Sequence, residues 1–131
     1  MDKQCCSEFQ ATVDNYLIRH RSVLDVITKF QESNARVNRA FAKAVTECGC
    51  MQIHAVRQQI PSNIHYSQLK DYMASHIDGQ PCSQCQEILA TELGRNLFYL
   101  AALCNLIGLD LNDVMQQEHD RVKTLGVFHL S

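Results

Sequence analysis

The residues best suited to chemistry in this chain are sulfur ligands and one imidazole. Cys82 and Cys85 form Cys-Ser-Gln-Cys directly after Pro81, and Cys48, Cys50 and His54 lie close together further upstream. Two thiolates three apart on a helical turn supply half of a tetrahedral zinc site. Cys50 and His54 are four apart and share one face of a helix, whereas Cys48 and Cys50 then point to nearly opposite sides. On that reading Cys48 is most simply a small core hydrophobe. Redox chemistry is a second possibility, because a Cys-x-x-Cys at a helix N-terminus has a lowered thiol pKa, although the βαβ setting of a thioredoxin is missing. Free, partly buried thiols without a task are the third reading, and these residues alone leave all three open.

The elements that must position these side chains read as helices. Apolar residues recur at Leu89, Leu93, Leu97, Leu100, Cys104 and Ile107 in steps of three and four. This predicts a helix opening near Pro81 with that side against a core. Gly108 stops it, and Asp110 and Asp113 hold the cap and third positions of a last helix, with Leu109 and Val114 placed as a hydrophobic staple. Pro81 to Lys123 is therefore a helical hairpin. Along its first helix Cys85, Glu92 and Tyr99 recur every seven residues beside the apolar stripe, bordered by Cys82 and Arg95. A polar strip next to a buried seam is where a bundle places a site.

Toward the N-terminus, Ser7 and Gln10 fit a capping box for a helix from Glu8 to His20, with Phe9, Val13, Tyr16 and Leu17 inward. From Val23 to about Gln58 the pattern reads as one long helix or two collinear ones, weakest at Glu32-Ser33-Asn34. Val37, Phe41, Val45, Cys48 and Ala55 make its buried stripe, and Arg36, Lys43, Glu47, Cys50 and His54 make another. Gly49 in mid-helix costs about 1 kcal/mol relative to alanine, which points to a close helix approach. Arg36 and Lys43 are placed to meet phosphates, although a basic stripe is ordinarily just solvated. Ile60-Pro61-Ser62-Asn63 ends the long helix, and a short one is expected from Gln68 to Ile77, flanked by solvated His65 and His76.

With 131 residues the chain is expected to be one domain, spanning 1–131. Two prolines, five glycines and no convincing period-two stretch point to an all-α fold. A net charge of −2 gives no pull toward nucleic acid or a membrane. The start, MDKQCCSEF, lacks a signal-peptide core and no apolar run has membrane-spanning length, so a cytoplasmic protein is expected. Seven cysteines is a high and odd number, which in a reducing compartment suits thiols or metal ligands better than a disulfide framework. Adjacent Cys5 and Cys6 read as part of a frayed start.

Thr91-Glu92-Leu93-Gly94-Arg95-Asn96-Leu97-Phe98-Tyr99-Leu100, followed by Leu103-Cys104-Asn105-Leu106-Ile107-Gly108-Leu109-Asp110-Leu111, resembles the second signature of the MazG-like nucleotide pyrophosphohydrolases. Thr46-Glu47-Cys48-Gly49-Cys50-Met51 resembles the first signature, and Gln10 to Tyr16 looks like the opening helix of the short members. The resemblance implies a helical bundle of four to five helices with long antiparallel helices. It also implies a homodimer, because the family buries its long helices across subunits, and a nucleotide ligand.

In that family each signature gives two carboxylates, and the four hold magnesium for attack on a nucleoside triphosphate. This chain keeps Glu47 and Glu92 but has Cys50 and Arg95 at the other two positions. Magnesium requires hard oxygen ligands, and a guanidinium opposes a divalent cation nearby. A catalytically weak or inactive metal- or nucleotide-binding relative is therefore expected, with zinc in place of magnesium. The alternative is an active pyrophosphohydrolase releasing pyrophosphate from an NTP or dNTP. Because the two signatures pack together in the family, Cys50 and His54 would face Cys82 and Cys85 as a Cys₃His zinc site. Cys48 replaces His54 if Gly49 breaks the helix. Asn105 matches a family position near the substrate pocket, and Lys43 and Arg95 are the cations expected to meet the nucleotide.

Overall fold

The structure, a computed structural model, describes residues 3–126. It is all-α apart from one small two-stranded ladder. Helix α1 covers Lys3–Tyr16 and α2 covers Val23–Lys43, continued by one wide turn of π type at Ala44–Cys48. Two short strands, β1 (Gln52–Ile53) and β2 (Ile77–Asp78), pair antiparallel and bracket a 3-10 turn at Tyr66–Asp71. Helices α3 (Ser83–Ile107) and α4 (Leu111–Leu125) complete the chain. Among the described residues, no single helix is long and apolar enough to cross a membrane.

The principal pairing is α2 against α3, with α1 laid across α3 and α4. Val13, Leu17, Val26, Ala101, Ala102, Cys104 and Leu111 form the core cluster. Alanines at its centre let the helix backbones come close, which is why so few large side chains are fully buried. Polar side chains tie the layers where apolar contact thins out. Gln10 donates to the Leu109 carbonyl at 2.7 Å and accepts from the Leu111 N–H at 2.8 Å, while Asn105 donates to the Gln10 carbonyl at 3.0 Å. Ser33 is buried, and its hydroxyl accepts from Asn96 at 3.0 Å across the α2–α3 seam.

The α3–α4 hairpin forms where the capping residues put it. Gly108 closes α3 in the left-handed region at φ 73°, and the Asp110 carboxylate accepts from the N–H groups of Asn112 and Asp113. Several other expectations are corrected. The long helix does not reach Gln58, because Gly49 at φ 79° takes the left-handed cap and its N–H bonds the Ala44 carbonyl. The glycine ends the helix and is not a point of close helix approach. Of the two readings left open, one continuous helix holds through Glu32-Ser33-Asn34, where the Ser33 hydroxyl donates to the Phe30 carbonyl at 2.6 Å and accepts from Asn96 of α3.

On α2 the buried residues are Val26, Ser33, Ala40 and its neighbour Ala44, while Phe41 and Cys48 are exposed. At the other end, α1 starts at Lys3, so Ser7 caps nothing and Gln10 is spent on α4. Helix α1 also stops at Tyr16, which is exposed, and only Val13 and Leu17 of its expected inward set are buried. Cys5 and Cys6 lie within this helix, with Cys6 buried against Met115. The short helix expected at Gln68 to Ile77 is the 3-10 turn Tyr66–Asp71. On α3, Leu93, Leu97 and Ile107 are exposed, and the core side is Leu89, Ala101, Ala102 and Cys104.

Candidate metal centre

Three local features bring sulfur together at one end of the α2–α3 pair. The wide turn after α2 carries Cys48 at its last position, and the left-handed Gly49 turns the chain so that Cys50 follows on the same side. The chain then leaves through β1 and returns through β2, whose pairing sets Gln52 opposite Asp78. Gly79, at φ 88°, lies so close to Cys50 that a Cβ there would stand 2.8 Å from the Cys50 carbonyl oxygen. Only glycine fits that crossing. Cys82 is the N-cap of α3, and Cys85 occupies the first turn.

The Sγ atoms of Cys48, Cys50, Cys82 and Cys85 lie within 4.8 Å of one another. The Cys48–Cys82 pair is 3.8 Å apart. A tetrahedron with metal–sulfur bonds of about 2.3 Å has edges of about 3.8 Å, so the donor set fits a four-coordinate metal ion with small adjustments. All four are free thiols, one exposed and three partly buried. Their electrostatics are unequal. The Cys85 N–H, 3.5 Å from the Cys82 sulfur, and then the Cys85 thiol pull Cys82 down to about 7. Partial burial, followed by the neighbouring Cys50, Cys48 and Cys82 thiols, pushes Cys85 up to about 12. One thiolate is thus available near neutral pH, and a cation would stabilise the rest.

His54 is not in this cluster. Its Nε2 lies 3.5 Å from the Asp78 carboxylate, both side chains exposed, and its N–H bonds the His76 carbonyl. Once Gly49 ends the helix, a spacing of four no longer places Cys50 and His54 on one face. Cys48 stands in the place considered for His54.

The remaining candidates divide between two other places. Lys43 and Glu47 line a cavity of about 420 Å³ beside Cys48, Cys85 and Ile88. Arg95 lines a separate cleft of about 360 Å³ between α2 and α3, with Lys29, Glu32, Ser33, Arg36 and Tyr99. There Arg95 reaches the Glu92 carboxylate at 3.1 Å, and the second Glu92 oxygen is buried without a hydrogen-bond partner. The hydrogen bond and charge of Lys29, then those of Arg36, hold the Glu32 carboxyl below its ordinary value. Asn105 faces neither space, because it braces α1.

Glu47, Cys50, Glu92 and Arg95 therefore do not converge. Cys50 joins Cys85, and Glu92 lies two helical turns further on, about 10 Å along α3. Tyr99 and Arg95, expected on one polar strip of α3, do share this cleft, whereas Lys29, Glu32 and Ser33 were not expected as site residues. The spacing of Lys29, Glu32 and Arg36 on one helical face was the available signal. Compared with known proteins, the chain matches no family model, no curated protein and no solved structure.

Proposed function

We propose that this chain is a divergent MazG-like domain that holds one zinc ion through Cys48, Cys50, Cys82 and Cys85. The observation that carries the metal is the mutual approach of four thiols within 4.8 Å. Four sulfur donors in a tetrahedral arrangement suit zinc or iron and are poor partners for magnesium. A closed set of four thiolates leaves no position for water, so the ion is structural and its binding adds to folding free energy.

Elemental analysis of protein purified without added metal tests this. One zinc per chain and no iron is the expected result, retained in Glu47→Ala and His54→Ala and lost in Cys85→Ser. Protein that carries no stoichiometric metal, or that loses it with His54→Ala, overturns the assignment.

A nucleotide as second ligand is favoured by Lys29, Arg36 and Arg95, three cations lining one cleft with the Tyr99 ring and the Ser33 hydroxyl. Guanidinium groups pair bidentately with phosphate oxygens, and an aromatic ring offers a stacking surface. Hydrolysis would be weak or absent, because Arg95 occupies the Glu92 carboxylate that a magnesium ion would need. Titration calorimetry with a nucleoside triphosphate should detect binding weakened at least tenfold by Arg36→Ala or Arg95→Ala. Magnesium-dependent release of pyrophosphate that is abolished by Glu92→Ala would overturn the non-catalytic reading.

A further inference from the structure

One flank of α2 carries nothing but charge. Lys29, Glu32, Arg36, Arg39 and Lys43 recur in steps of three and four, the spacing by which a helix ordinarily builds an apolar seam. The seam itself lies beside them. Val26, Ser33 and Ala40 are the buried residues of α2, and Lys29, Arg36 and Lys43 each follow one of them by three positions. The charged row therefore runs along the edge of the α2–α3 pair from Lys29 to Lys43, about 21 Å.

Hollows follow this row. The cleft of about 360 Å³ at its Lys29 end shares Glu32 and Arg36 with a second hollow of about 430 Å³, which Arg39 and Lys43 also line. Lys43 in turn joins that hollow to the cavity of about 420 Å³ beside Ile88. One open trough results, with the Tyr99 ring at one end and Ile88, 48% exposed, at the other.

The charge in the trough is one-sided. Five of the 12 lysines and arginines line it, counting Arg95 from α3, against two of the 14 carboxylates, Glu32 and Glu47. The whole-chain net charge of −2 averages that segregation away. Glu32 is spent on Lys29 and Arg36, each at 3.4 Å, and among the described residues Arg39 and Lys43 form no ion pair. Arg36, Arg39 and Lys43 repel one another at spacings of three and four, a repulsion that an anion lying over all three relieves. The triphosphate of one nucleotide is too short to do so, whereas a chain of phosphodiesters has the length.

We infer that the trough binds a single-stranded nucleic acid, its backbone lying along Arg36, Arg39 and Lys43 and one base against the Tyr99 ring. A basic groove that tracks phosphates, with an aromatic ring for an unpaired base, is how single strands are held without regard to sequence. A duplex keeps its bases stacked inside and cannot offer one to a ring set between two helices. The Tyr99 end of the trough is the nucleotide cleft proposed above, so the inference rests on that reading there, whereas Arg39 lies outside the cleft.

Fluorescence anisotropy of the full-length protein with labelled oligo-dT and oligo-U of about twelve nucleotides tests it, with salt varied from about 50 to about 200 mM. Three phosphate contacts on a single strand give a log–log slope of about −2, an affinity loss of about sixteenfold over that range. A preference for oligo-U assigns an RNA and one for oligo-dT a DNA, and both support the inference. Arg39→Gln, on the exposed helix surface, should keep the helical circular dichroism, weaken the strands at least threefold and make the slope shallower by about 0.7. Its calorimetric affinity for a nucleoside triphosphate should stay within twofold of the original. If Arg39→Gln loses its helical signal, the slope of the unaltered protein decides, and a flat one overturns the inference.

Strand binding without triphosphate binding supports the trough and sinks the mononucleotide reading of the cleft. Triphosphate binding without strand binding overturns the trough and leaves the cleft standing. A duplex of the same sequence bound as tightly as the single strand, inorganic polyphosphate competing equally per phosphate, or a slope unchanged in Arg39→Gln overturns the inference as well.

Discussion

The helical body and the arm between Gln52 and Pro81 are held together by different physics. The body has a dry centre, in which Val13, Val26, Ala101 and Ala102 are almost wholly removed from water. The arm has no buried residue along its length, and Ile53, Val56, Ile60, Tyr66, Tyr72 and Met73 all lie in solvent. Two-residue strands cannot fix such a segment on their own. What closes its base is the sulfur cluster, two donors on the way out and two on the way back. The body is stabilised by displaced water and, on the proposed metal assignment, the arm by coordination chemistry, so each should fail under conditions that leave the other intact.

Metal removal is the largest perturbation of that contrast, since binding at structural zinc sites is worth about 10–16 kcal/mol near neutral pH. Chelation, or Cys82→Ser, should raise amide exchange through the arm by at least about a hundredfold. The helical circular dichroism of α1 to α4 should stay close to its original value. Loss of all helical signal at the same chelator concentration would show one cooperative unit and break the comparison. The reciprocal change is Val26→Ala, which removes two methyls from the fully buried side and should cost about 2 kcal/mol in urea unfolding with metal content unchanged. The matching arm change, Val56→Ala, should stay within about 0.5 kcal/mol.

The same contrast governs how much was legible in the sequence. The α3–α4 hairpin could be read because its stop and start are written in neighbouring residues, Gly108 at φ 73° and the Asp110 carboxylate on two N–H groups. The all-α class followed from pattern alone. Gly49 could not be settled that way, since a glycine amid helical periodicity fits a mid-helix contact and a left-handed cap equally well. The first made Cys48 most simply a core residue and prolonged α2 past the real turn, while the second carried the alternative in which Cys48 replaces His54, and that is the one found. Leu93 and Leu97 on α3 raised a related problem. They share the helical period of Leu89 and Cys104, so periodicity counted them inward, although about half of each side chain stays exposed. The cleft around Arg95 depends on α2 and α3 meeting at Ser33 and Asn96, a contact between residues 63 apart that no local pattern encodes.

Gly79→Ala sharpens the contrast at the arm's root. A side chain at φ 88° is strained, and its Cβ would stand 2.8 Å from the Cys50 carbonyl oxygen. The combined cost of about 1–3 kcal/mol should fall on the arm. A competition assay against a chromogenic chelator should find zinc affinity reduced about tenfold or more, with the urea midpoint of the helical signal little changed. Asp110→Ala is the smaller change on the other side. Losing the cap of α4 should cost about 1 kcal/mol in unfolding and leave zinc affinity as it was.

The smallest effect changes reactivity and leaves stability nearly untouched, and it reports on the junction of the two regions. Cys82 is drawn down to about 7 chiefly by the Cys85 N–H, a donor inside α3 itself, so this shift should survive metal removal. Cys85 is pushed up to about 12 by burial and by the thiols at the arm's root, so its shift requires the arm to remain in place. For Cys82 the folded value lies below that of an ordinary thiol. Its small stabilisation is therefore present above the ordinary thiol range and disappears as pH falls through about 7. In metal-free protein, iodoacetamide labelling followed by peptide mass spectrometry should find Cys82 modified first, with a half-maximal rate near pH 7. If Cys85 then labels as an ordinary thiol, the arm has left the helix end. If Cys85 resists far into the alkaline range, the arm stays in place without metal, held by its own hydrogen bonds such as those of the Gln58 side chain to Ala74. Cys82 reacting no faster at neutral pH than the exposed Cys5 would place the source of its acidity outside α3 and dissolve the boundary between arm and body.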